Sequence, residues 1–95
     1  MFVLALEVDL RIPDAHSLKD KRQVITSVLE TSRRRFSVSA AEVAHQDSWQ
    51  RALLGFAVVA STAGHAEDVM DSVEHHLWSR LGVEVVSAER IWLED

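Results

Sequence analysis

An α+β sandwich, four antiparallel strands with two helices on one face, is predicted by three features of this 95-residue chain. Apolar residues alternate with period two near the start. They recur at helical spacing in two later segments. They gather in short blocks in the remaining stretches. The resulting order is strand, helix, strand, strand, helix, strand. A short chain best satisfies that order as a ferredoxin-like βαββαβ sandwich, its two crossovers long enough to lay each helix on the sheet with the usual right hand. A single domain, residues 1–95, is expected, with no internal linker or low-complexity tract.

The first strand is predicted over residues 2–12. Phe2, Leu4, Leu6, Val8, Leu10 and Ile12 share one face, and Val3, Ala5, Glu7, Asp9 and Arg11 the other. Pro13, the only proline, ends the strand because it has no N–H to give a ladder. Ser17 and Asp20 make a capping-box-like start to a helix. Leu18, Ile25, Val28, Leu29, Ser32 and Phe36 form the apolar stripe that carries it to about Arg35. "SVSAAEVAHQ" and "RALLGFAVVAST" read as two strands joined by the polar "DSWQ", an antiparallel hairpin. A second helix is expected from Gly64, with Ala66, Val69, Met70, Val73, Leu77 and Leu81 on its buried stripe and Gly82 just beyond as a left-handed cap. "VEVVSAERIWLED" supplies the last strand.

With 47% apolar and 26% charged residues, the chain can bury a modest core and is unlike a disordered one. It has no cysteine, which excludes disulfides, cysteine-ligated metals and a cysteine nucleophile. The apolar N-terminus has no basic leader and is interrupted by Glu7 and Asp9, and no stretch approaches the roughly 18 apolar residues of a membrane helix. A cytoplasmic protein without membrane contact is therefore expected.

Net charge is −5, but it is unevenly spread. Between Arg11 and Phe36 lie seven basic and three acidic residues, so that segment carries +4 and the remainder −9. A basic face is the expectation. "HSLKDKR" concentrates it: His16, Ser17, Lys19, Lys21 and Arg22 stand at a helix start, where the backbone favours anions and where unpaired cations are unfavourable. They are candidates for binding a phosphate or RNA, although the residues by themselves favour a solvated first turn. Arg33, Arg34 and Arg35 end the same helix and suit its negative end without any ligand. Because successive helical residues diverge by about 100°, the helix alone cannot gather them into one dense patch, but they are kept as candidate contacts.

The histidines His16, His45, His65, His75 and His76 show no chelating spacing, so no metal and no cofactor is expected. No nucleophile, base and orienter can be placed together, and no enzyme is expected; a deep pocket around Glu42, His45 and Asp47 would reverse that reading. Trp49, with Gln50 and Arg51, suits an interface anchor or a lid over the end of the core. Val3 and Ala5, with an apolar row of the third strand, make the sheet face away from the helices too apolar to leave wet. That row is either Leu54, Phe56 and Val58 or Leu53, Gly55, Ala57 and Val59. A homodimer through this face or the edge beside it is expected, not a base-stacking RNA platform, since Val3, Ala5 and Glu7, which the first strand shows there, include neither an aromatic nor a cation.

Three stretches in order, "HSLKDKRQV", "RRRFSVSAAEV" and "QDSWQRALLG", closely resemble the YlxP-like family of small bacterial proteins of unknown function. The resemblance runs from the first strand to the end of the third. Ser37 stands where the family often has asparagine. The resemblance implies a ferredoxin-like fold, a gene among those for translation initiation and ribosome maturation, and no catalytic residues. The resulting expectation is a non-catalytic accessory factor of translation or ribosome maturation, touching RNA or a ribosomal partner through its basic first helix. The alternative is a regulatory module that holds a small anionic ligand at the start of that helix.

Overall fold

Alternation and capping place six elements in the computed structural model, which describes residues 1–93. They are β1 (Phe2–Arg11), α1 (Leu18–Phe36), β2 (Ser39–Ala44), β3 (Arg51–Ala60), α2 (Ala63–Ser79) and β4 (Glu84–Leu93). The four strands form one antiparallel sheet in the order β2-β3-β1-β4, the ferredoxin-like arrangement, with β1 and β3 central. The two residues after β4 lie outside the described part of the last predicted strand.

Period two decides which side of the sheet is covered. Leu4, Leu6, Val8 and Leu10 of β1 and Ala52, Leu54, Phe56 and Val58 of β3 are buried under the helices. Ile25, Val28 and Leu29 of α1 and Ala66, Met70, Val73 and Leu77 of α2 complete the core. Leu6 pairs with Phe56 and Ala5 with Ala57, so the uncovered row of β3 is Leu53, Gly55, Ala57 and Val59. Arg90 of β4 reaches Asp71 and Glu74 of α2, at 2.7 and 3.1 Å, and ties the edge strand to the helix layer.

Several boundaries differ from the sequence reading, each for a local reason. Thr62 caps α2, its hydroxyl accepting the His65 N–H at 3.1 Å, so the helix begins before Gly64. The helix ends at Ser79, and Leu81 leaves the predicted stripe to stand 94% exposed. Arg80 closes α2 in an extended conformation, while Gly82 adopts its φ of +90° in the following turn. The left-handed helix cap is instead Ser37, at φ 54°, whose N–H donates to the Arg33 carbonyl. Phe2 shares a side with Leu4 but lies beyond the core, 42% exposed and edge-on to Trp92.

β2 is short, and a register shift between Glu42 and Ala44 sets Val43 over the open face. A Cβ on Gly55 would stand 3.0 Å from Val43 Cγ1, which explains glycine in the middle of a strand.

Candidate functional site

The start of α1 and the β2–β3 turn, 24 to 37 residues apart in sequence, meet at one end of the sheet. Ser17 Oγ accepts the Asp20 N–H at 3.0 Å, and the Asp20 carboxylate accepts the His16 N–H at 3.0 Å. The capping box is therefore shifted by one residue, and a carboxylate of the protein itself occupies the helix start.

Lys21 does not belong with the exposed cations. It is 1% exposed, and its ammonium lies 2.6 Å from Glu42 Oε2 and donates to the His45 carbonyl at 2.6 Å. The Glu42 oxygen is itself buried and has no conventional hydrogen bond among the described residues, so the ammonium is its countercharge. The same His45 carbonyl accepts the Ser48 N–H, and His45 holds a left-handed φ of 66° at this turn. Gln50 donates through Nε2 to the Pro13 and Ala15 carbonyls, at 3.2 and 3.1 Å, while its own carbonyl accepts the Ile12 N–H. Arg51 forms a two-pronged contact with Asp9, at 2.7 and 3.3 Å. Of the residues proposed for an interface, Gln50 and Arg51 thus brace the fold. Trp49, the residue before them, is 53% exposed, and Val3 and Ala5 are half-buried on the open face.

The remaining cations separate by their direction around α1, as the 100° step requires. Lys19, Arg22 and Arg34 line one open groove of about 640 Å³ with Gln23, Thr26, Ser27, Glu30 and Thr31. Arg33 instead donates to the Ala40 carbonyl of β2. Arg35 lies over the Phe36 ring, 5.2 Å from its centre. His16 is exposed beside the helix start. Arg80, which sequence reasoning missed, reaches from the end of α2 to Oγ of Ser27, a lining residue of the groove, at 2.8 Å and so brings a fourth cation next to it. No periodicity could have revealed it, because it lies outside both helical stripes.

A second titratable centre lies between the helices. His76 packs edge-on to Phe36, with ring centres 5.7 Å apart, and its buried Nε2 meets no hydrogen-bond partner among the described residues. Burial first, and then the guanidinium groups of Arg35 and Arg80, hold the imidazole below its ordinary value of 6.5. The unfolded chain therefore binds this proton at a higher pH than the folded chain does. The stability that neutral His76 contributes is present above pH 6.5 and is lost as pH falls through the lower folded value. Urea midpoints measured from pH 7.5 downward should fall more steeply for the wild type than for His76→Leu; parallel profiles would contradict this assignment.

Among the described residues no three His, Asp or Glu side chains converge as metal ligands, and no helix is long and apolar enough to cross a membrane. Two helices on one face of a 2-3-1-4 sheet define a ferredoxin-like α+β domain. A de novo designed protein with a ferredoxin fold, solved by solution NMR, superposes with a TM-score of 0.55 at 15% identity, covering 98% of this chain and 84% of that one. The profile of the family described as "Protein of unknown function (DUF503)" matches residues 3–90, and the chain belongs to that family. A curated relative, "Uncharacterized protein YlxP" of Bacillus subtilis (strain 168), is 39% identical over 67 residues, 70% of this chain and 73% of the relative.

Proposed function

We propose that the protein is a non-catalytic, cytoplasmic accessory factor of translation or ribosome maturation that meets RNA, or a ribosomal partner, through the outer groove of α1. The observation that carries this reading is the alignment of Lys19, Arg22 and Arg34 along one groove, with Arg80 bonded to its lining residue Ser27, on a chain of net charge −5. Lys19 and Arg34 are separated by about 22 Å of helix rise, so the cations follow a length of phosphate backbone rather than a single anion. The helix start suits a small anion less well. Asp20 already stands there, and Lys21 is turned into the protein.

Co-sedimentation with ribosomal subunits over a salt series tests the proposal. Three or four phosphate contacts predict a slope of log K on log salt of roughly −2 to −3. Arg22→Glu and Arg34→Glu should each weaken the association. Absence of association at low salt would overturn the proposal. Salt-insensitive association that both variants retain would do the same for the α1 groove as the contact.

A further inference from the structure

We infer that the open face of the sheet is the contact surface for a second copy of this chain, an interaction separate from the α1 groove. The face is divided into a ridge and a trough. The ridge is formed by Val3, Val59, Ile91 and Leu93, neighbours on the same side by register, with Val59 64% and Leu93 52% exposed. Beside it, Ala5, Ala41, Gly55 and Ala57 leave a shallow, apolar depression of about 310 Å³, walled by Val43. A raised and a recessed apolar strip side by side on one surface are self-complementary. A two-fold axis running across the strands sets each ridge over the partner's trough, the isologous arrangement of most dimers.

The chemistry of the face excludes a nucleic acid as its occupant. Among the described residues no aromatic ring lies on it: Phe56 is buried beneath, and Trp92 shares the helix side with Leu4. Its charges gather in one corner, where the carboxylates of Glu7, Asp9, Glu84 and Glu89 outnumber the cations Arg11 and Arg51, and Arg51 pairs with Asp9. That corner makes a polar rim around an apolar centre, as at protein–protein contacts. The size also fits a second copy. Three strands of ten residues and one of six, ~4.8 Å apart, present up to about 570 Å² per copy. A pair then buries at most roughly 1,100 Å², the size of a weak interface that forms and dissociates readily.

Light scattering of the full chain across the micromolar range is expected to give twice the monomer mass. Val59→Glu, at a side chain that already faces solvent, should yield a monomer with unchanged circular dichroism; Val3→Glu should do the same, and Lys19→Glu should leave the dimer intact. Because the chain has no native cysteine, Val59→Cys and Ala57→Cys give a second readout in an otherwise native fold. Mild oxidation should join two copies through at least one of these positions, near the axis. A wild-type monomer mass at every concentration would overturn the inference. So would a dimer that survives Val59→Glu in the folded state, since its contact would lie elsewhere.

Discussion

Glu42→Ala is expected to cost about 3 kcal/mol of unfolding free energy, which for a domain of this size lowers Tm by roughly 15 °C. The substitution leaves the Lys21 ammonium at 1% exposure with one neutral oxygen, the His45 carbonyl, as its polar partner among the described residues. Removing the other partner should be milder. Lys21→Met fills much of the same volume, and the Glu42 side chain, already 19% exposed, can turn towards water. A loss of about 1–2 kcal/mol follows from the unpaired carbonyl and the displaced carboxylate. Combining Lys21→Met with Glu42→Leu should recover much of what Glu42→Ala loses, because an apolar pair replaces a buried ionic one at little net cost. Urea denaturation of the four proteins measures this. Equal and additive losses would show that the two charges act independently.

Phe56→Ala should be at least as damaging, at about 4 kcal/mol. Phe56 is 2% exposed on a central strand, between its register partners Leu6 of β1 and Ala40 of β2. Alanine on one side and a packed leucine on the other leave no side chain free to move into the void, so the cavity term adds to the lost transfer energy. With total stabilities of about 5–15 kcal/mol for such domains, the variant should be close to unfolded at 37 °C. Thermal unfolding followed by circular dichroism decides it. A Tm within a few degrees of the wild type would mean that the core collapses around the gap.

Much of this architecture was legible because two clean periodicities lie in the chain. Leu4 through Leu10 alternate without a break, and Ile25, Val28, Leu29 and Ser32 repeat at helical spacing; both sets are buried in the structure. The site was less legible because a charge's partners are not written beside it. Lys21 was grouped with Lys19 and Arg22 as a basic cluster. Yet it falls four residues before Ile25, in the buried register of its own helix, and Glu42 comes two residues after Ala40 in the helix-facing register of β2, opposite Leu54. Two opposite charges, each in an inward position, were the available signal. Which row of β3 faced outward depended on strand pairing, since Leu53 to Val59 is apolar at nearly every position. Arg80 required the packing of α2 on α1, which local spacing does not encode.

The bond from Lys21 to Glu42 and the His45 carbonyl also bears on how the family's recognisable sequence is inherited. A ligand site lets each of its residues drift alone, within whatever the ligand tolerates. A brace joining a helix to a hairpin does not, because either half without the other is worse than neither. Across descendants of this chain, positions 21 and 42 should therefore change as a unit, retaining both charges or exchanging both for apolar side chains, while Lys19, two residues away and facing solvent, remains free to follow the demands of a partner.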